Sequence, residues 1–432
     1  MKTTPQARII SVNQYGEDIC AGAARISTTQ GNAMNIFESS KENPDNLPLI
    51  KKVLRSGHQS VLEHAVFSLA LWNVSAYVEQ FFIEFRLASF TVKSRRYVDF
   101  SGQGYHIPDG LSDKAHKEYC QYMDDLFESY GKLLKLGVPK EDARFLLPYS
   151  FHSSFFCTLN ARELVRLINA AEMRGNQELS VIAEQLSDQL RELFPNAAQL
   201  LKGESSELKT AVFKDSYTFV TQEDAGNVEL LQAPFSPKAL LDAAWKASHP
   251  DGEALGLKEL VVSDRPRELE QLNYTFAIED ISLPALTHLV RHRMQSIVVP
   301  PLEKIEGERQ LIPDSIRDNP DLLDIYGNAL LRAVAQRRLI TQDSELRQHS
   351  VYFLTSATLT SVITTMNARE LLLFIRLRSC SRAQWEIRNI AVRMLEKINP
   401  SFPELFCHYG PSCVVTGKCP EGAMSCGRVK NL

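Results

Sequence analysis

Apolar positions in this chain follow helix and strand rhythms. Leu164, Leu167, Ile168 and Ala171 fall at i, i+3, i+4 and i+7, one continuous stripe on a helix. Asn160 stands just ahead of it with Glu163 three residues on, a pairing that predicts a capped helix start. Residues 183–193 and 240–246 also predict helices. Residues 210–213 and 217–220 are β-branched and aromatic, and predict short strands. The same rhythm is then written a second time. Residues 57–86 align without a gap on 264–293, and the five residues from Asn160 return unchanged from Asn367, an offset of 207. Ser75, Arg86 and Ser89 recur as Ser282, Arg293 and Ser296. Solenoid periods run to roughly 20–50 residues, so a repeat this long is a duplicated domain. The expected organisation is a first copy over 1–205, a second over 206–406, and a Cys-rich tail over 407–432, each copy of α+β class.

Composition narrows the function classes. With 432 residues and a formal net charge of −4, the chain lacks the basic surface that duplex nucleic acid requires. Its most hydrophobic region, 66–85, contains Glu79 and Glu84, so no membrane span is expected. The first residues carry no apolar signal core, which predicts a cytoplasmic protein whose eight cysteines are thiols or metal ligands rather than disulfides. Cys413, Cys419 and Cys426 are spaced more widely than the pairs of structural zinc sites, and no metal is assigned to them.

The copies differ most at charged positions. On the apolar stripe, copy two has Leu371, Phe374, Ile375 and then Arg378 where copy one has Ala171. A guanidinium on a core-facing stripe is costly without a partner, which makes Arg378 a candidate for meeting a ligand. Ser94 and Arg96, if extended, share one face, and a hydroxyl beside a forked donor suits a phosphate. Copy two has Pro301 and Glu303 at those places, so only copy one suits an anion there, and charge reversal at Glu303 is expected to do little. The cationic run Arg291, His292, Arg293 is Glu84, Phe85, Arg86 in copy one. His58 and His64 are too far apart for a helical metal pair.

At these residues the chain resembles the flavin-dependent thymidylate synthases. Their signature begins Arg-His-Arg and continues to a Ser-x-Arg; also similar are 57–64, the helices that open at Asn160 and Asn367, and the run 383–388. The resemblance covers nearly the whole chain, twice. Its signature is split, with Arg291, His292, Arg293 and Ser296 in copy two, and Arg86, Ser89, Ser94 and Arg96 in copy one. Thr91 and Val298 stand where the family has Asn, and His288 where it often has Gln.

The resemblance implies a FAD enzyme that methylates dUMP to dTMP with methylenetetrahydrofolate and NADPH. Ser94, Arg95, Arg96 and Arg144 match the family's grip on dUMP from one subunit; His288 lies on the nucleotide side; Arg291 and Arg378 match the contribution of the other subunit, Arg378 at the uracil. One composite site would survive and its twin would be dead. For FAD the resemblance implies His58, Ser60, Arg291, His292 and Arg293, with Asn160, Arg162, Asn367 and Arg369 as further candidates. It also implies a homodimer of fused chains, a pseudo-tetramer, with nucleotide and folate as partners. Two other readings stand beside it: flavin-dependent modification of another pyrimidine nucleotide, and a non-catalytic flavin or nucleotide binder.

Overall fold

The computed structural model describes residues 4–206 and 217–427. These divide into two compact units: residues 4–135, 147–206 and 339–354 form unit 1, and 136–146, 217–338 and 355–427 form unit 2. The segments 136–146 and 339–354 are the same stretch of the repeat, so each repeat completes the other's unit. The boundary drawn at 205/206 follows the repeat, whereas the compact units follow packing. In unit 1 the Tyr352 hydroxyl donates to Glu178 at 2.9 Å, and in unit 2 the Trp385 indole donates to Asp142 at 2.9 Å.

Unit 1 is built on four antiparallel strands, β1 (Gln6–Val12), β2 (Val66–Ser75), β3 (Ala88–Val92) and β4 (His152–Asn160), in the order β1-β2-β4-β3. Alternation along β2 buries Phe67, Leu69 and Leu71 on one face. Helix α1 (Ala76–Ile83) follows β2, α2 (Asp113–Lys135) precedes β4, and α3 (Ala161–Met173) and α4 (Gln177–Leu193) follow it. Helix α3 buries Leu164, Leu167, Ile168 and Ala171, the stripe read from the sequence, against β2 and β4. The outer edge of β1 is covered by two side chains one helical turn apart on α4. Gln185 and Gln189 accept from Ala7 N (2.7 Å) and Ile9 N (2.8 Å) and donate to Pro5 O and Ala7 O, standing in for a further strand.

Unit 2 repeats the plan. A short parallel pair, β5 (Thr218–Thr221) with β9 (Arg309–Ile312), accompanies a sheet of order β6-β7-β10-β8. Here β6 is Asn227–Gln232, β7 Asn273–Ser282, β8 Gln295–Val298 and β10 Leu359–Asn367. Among its helices are α5 (Pro237–Ser248), α6 (Leu283–Leu289), α7 (Pro320–Gln342), α8 (Ala368–Arg378) and α9 (Trp385–Ile398). Strand β5 and helices α4 and α5 meet the sequence expectations; the strand expected at 210–213 lies outside the described residues. Both copies share a bulge at a positive φ, Asn73 at +54° and Asp280 at +53°, residue types that tolerate the left-handed region. The tail packs on unit 2, where the buried Tyr409 donates to the carbonyl of Ala368 at 2.9 Å.

Candidate functional site

The identities shared by the copies are largely helix caps. Asn160 and Asn367 accept from the N–H of Glu163 and Glu370, each at 2.9 Å, and Ser75 and Ser282 accept from Val78 and Ala285, each at 3.2 Å. Each capping serine is held by a buried carboxylate. Glu178 takes the N–H of Ser75 at 2.7 Å and its hydroxyl at 2.6 Å, and Glu386 takes the N–H of Ser282 at 2.7 Å together with its hydroxyl. Burial pushes the Glu386 carboxyl up to about 7, against the opposing hydrogen bonds of Ser282 and the nearby charges of Arg144 and Arg393. These pairs lock the strand-to-helix corners that set the residues around them.

In unit 2 the corner gathers charged and titratable groups. The turn after α6 holds Arg291, His292 and Arg293 before β8, at the negative end of the helix where cations are favoured. Gln295 fixes the turn by donating to Leu289 O at 2.7 Å and accepting from Thr364 at 2.7 Å. His292 is buried against the edge of Phe374, with ring centroids 4.8 Å apart. Arg378 Nε donates to His292 Nε2 at 3.0 Å, so the imidazole proton lies on Nδ1, facing Glu370 Oε1 at 3.0 Å. Burial holds His292 below its usual range, with the Arg378 charge adding to the depression and the Glu370 hydrogen bond opposing it. The result is a three-membered relay, carboxylate to neutral imidazole to guanidinium, that aims a half-buried cation. The sequence placed Arg378 on a costly stripe; the structure supplies the partner.

Beside the relay is a cleft of about 410 Å³ whose lining includes Asn367, Arg369, Glu370, Arg376 and Met294. Arg369 pairs with Glu270 on one wall. Arg376 Nε is buried there with no hydrogen-bond partner among the described residues, an orphaned donor that suits an anionic group such as a cofactor phosphate. The sequence argument did not single out Arg376. The signal was available, because Asn169 occupies the same position in copy one.

Unit 1 places the remaining expected residues differently. Arg162 pairs with Glu63 at 2.6 Å, which ties the helix start at Asn160 to the short turn Gln59–His64 that follows the exposed His58 and carries the exposed Ser60. Residues 94–96 form a turn, so the condition under which Ser94 and Arg96 share one strand face is not met: Arg96 N donates to Ser94 Oγ at 3.3 Å and Val98 N to Ser94 O at 3.0 Å. Strand β3 has already ended at Val92, and the serine hydroxyl closes the chain on itself. Arg95 turns inward and binds Glu79 at 2.8 Å in a buried pair, whereas Ser94 and Arg96 are half-buried. Arg144 packs in unit 2, where it is buried and donates to Glu141 O at 3.0 Å; the sequence had grouped it with Ser94 and Arg96. His288 is half-buried on α6. Glu303 is buried, so reversing its charge would cost stability, contrary to the tolerance expected for it.

Eight cysteines carry free thiols, and no three metal-capable side chains converge among the described residues. No described helix is long and apolar enough to cross a membrane.

The family described as thymidylate synthase complementing protein matches residues 8–196 and again 236–404. A flavin-dependent thymidylate synthase of Geobacter sulfurreducens is 37% identical over 168 residues, 38% of this chain and 72% of its own. That of Clostridium tetani is 34% identical over 38% of this chain and 73% of its own. The enzyme of Nitratidesulfovibrio vulgaris is 32% identical over 46% of this chain and 94% of its own, as one repeat against a whole protein would be. A UMP/dUMP methylase, PolB of Streptomyces cacaoi, bound with 5-Br dUMP, covers 46% of this chain and 95% of its own at 21% identity and a TM-score of 0.39, too slight a likeness to bear on function.

Proposed function

The chain belongs to the thymidylate synthase complementing protein family, twice over, and on that premise we propose that it is a FAD-dependent enzyme that methylates dUMP to dTMP with methylenetetrahydrofolate and NADPH. The observation that carries the reading is the Glu370–His292–Arg378 relay, present in copy two and absent from copy one, where Phe85 and Ala171 stand instead. A fixed guanidinium in a partly dry site stabilises negative charge on a pyrimidine ring without reorganising as the charge develops. The neutral imidazole keeps that guanidinium aimed, since it accepts from Arg378 and repels nothing. Arg291 belongs to the same side of the nucleotide, and His288 lies close to it in sequence on α6. Ser94 and Arg96 in copy one take the phosphate, through a hydroxyl and a forked donor. Arg95 acts from within its buried pair with Glu79, and Arg144 is the dUMP contact that the family resemblance implies in unit 2.

FAD, when bound, supplies the redox step between the nicotinamide donor and the transferred carbon. Arg376 and Asn367, with Arg369 held by Glu270, line the cleft that fits its anionic part, next to the turn of Arg291, His292 and Arg293. In unit 1 the flavin residues that the resemblance implies are His58, Ser60, Asn160 and Arg162. Two chains assemble as a homodimer, each fused chain taking the place of two single-copy subunits.

The visible absorption spectrum of the purified protein, recorded before and after adding dUMP, tests the reading. Flavin bands that shift with dUMP at about one FAD per chain support it. Absence of flavin after reconstitution would sink it. If the bands shift but dUMP neither loses tritium from its ring nor forms dTMP, the substrate is another pyrimidine nucleotide.

A further inference from the structure

One buried polar pair beside the relay has no counterpart in the other repeat. Gln295 and Thr364, both buried, stand on the adjacent strands β8 and β10, and the 207-residue offset puts Ala88 and Cys157 at their places in copy one. The Thr364 hydroxyl donates to Gln295 Oε1 at 2.7 Å, and Gln295 Nε2 donates to Leu289 O at 2.7 Å. That carbonyl, at the end of α6, also accepts the His292 N–H at 3.1 Å. A carbonyl oxygen has two lone pairs and serves both donors. The clamp therefore acts on the backbone of the residue whose ring receives Arg378.

The first repeat is an internal control. There Phe85 N donates to Phe82 O at 3.1 Å, so the same turn closes with Ala88 in place of the amide. Phe82 and Phe155, with ring centroids 5.4 Å apart, stand where copy two has Leu289 and Val362. Copy one packs this place with rings, and its turn carries Phe85 rather than His292. A buried amide and hydroxyl lose their hydration and add little net stability even when bonded. Closing the turn does not require them. They occur in the repeat whose turn carries an imidazole that meets a guanidinium at 3.0 Å.

We infer that Gln295 and Thr364 are positioning residues, which hold the His292 backbone so that its ring keeps Arg378 aimed. They act through His292 and not on a ligand. Their effect on turnover rests on the proposed function, whereas their effect on the His292 ring rests on geometry alone.

Thr364→Val combined with Gln295→Met tests the inference in the full chain, because apolar groups of similar shape on both sides leave the fold close to neutral. One readout is the nitrogen NMR resonance of His292 Nε2 without ligand; the other is kcat and KM for dUMP. The resonance is expected to move toward the position it takes in Arg378→Ala, where no guanidinium donates to the ring. A drop in kcat of at least about tenfold is expected, the scale of a misplaced catalytic group. KM should change less, since charge on the pyrimidine develops only as the reaction proceeds. Thr364→Ser alone keeps the hydroxyl and is expected to retain both the resonance and the rate. A wild-type resonance or a wild-type kcat in the double variant would overturn the inference. So would Thr364→Ser losing as much as Thr364→Val alone, which would mark a packing position. A wild-type protein that binds no flavin or makes no dTMP sinks the proposed function instead, and the resonance then decides the clamp by itself.

Discussion

Two places in the molecule share a scaffold and differ in what they hold. In unit 1, Glu79 and Arg95 form a buried pair at 2.8 Å; at the same positions in unit 2 stand Leu286 and Leu302, both buried. The repeat has thus solved one packing problem with an ion pair and again with two leucines, as expected where desolvation offsets most of the Coulombic gain. The second contrast runs the other way. Glu163, the N3 carboxylate of α3, meets Arg166 one turn along its own helix, whereas its counterpart Glu370 reaches across to His292 and through it to Arg378. An equivalent buried carboxylate ends in a local surface pair in one unit and in an aimed cation in the other. Duplication kept what the backbone needs, the caps and buried glutamates, and let the charged groups around them diverge.

The largest effect should come from breaking the relay. Arg378→Ala is expected to lower kcat by at least about 10²-fold, the scale of losing a preorganised charge contact, and to weaken dUMP. Stopped-flow turnover measures the first and the flavin shift the second, and wild-type rates in that variant would remove the distinction between the repeats. Stability tests the leucine contrast. Glu79→Leu or Arg95→Leu alone should cost about 3–5 kcal/mol, because each leaves a buried charge uncompensated, while the double change should be close to neutral. Urea unfolding of the three variants decides it, and an equally damaging double change would show that the pair is needed for more than packing.

Acid should act on the two units with opposite sign. Burial, with the neighbouring His106 adding to it, pushes His349 in unit 1 down to about 4. As pH falls below 6.5 the unfolded chain takes up that proton first, so stability declines down to pH 4, by about 3 kcal/mol for a shift of this size. Glu386 in unit 2, at about 7, holds a proton in the folded state that the unfolded chain has released above 4.5. Its contribution is present at low pH and is lost as pH rises through 4.5–7. Thermal midpoints of His349→Gln and Glu386→Gln against pH should flatten these two slopes separately, and a His349→Gln profile parallel to wild type would refute the first. The smallest effect is at the caps. Asn160→Ala and Asn367→Ala should each cost about 1 kcal/mol, and whichever of them also lowers bound flavin identifies the repeat that faces the cofactor.

Much of this was legible along the chain. The stripe of α3, the caps at Asn160 and Asn367 and the isolation of Arg378 on an apolar face all come from spacing, because 3.6-residue periodicity is local. The duplication and the division of charged residues between its copies were legible for the same reason, being comparisons of one segment with another. Contacts between distant residues were not. Nothing in the order of residues says that Arg95 would find Glu79, that 94–96 would close as a turn, or that Arg144 would pack in unit 2. Nor does it show that Arg376 would lie buried in a cleft. The sequence by itself determined the elements, their caps and the list of charges that survive. Only the tertiary structure decided which of those charges pair with the protein's own carboxylates and which meet an imidazole or line a cleft, because that depends on which groups folding brings within 3 Å of one another.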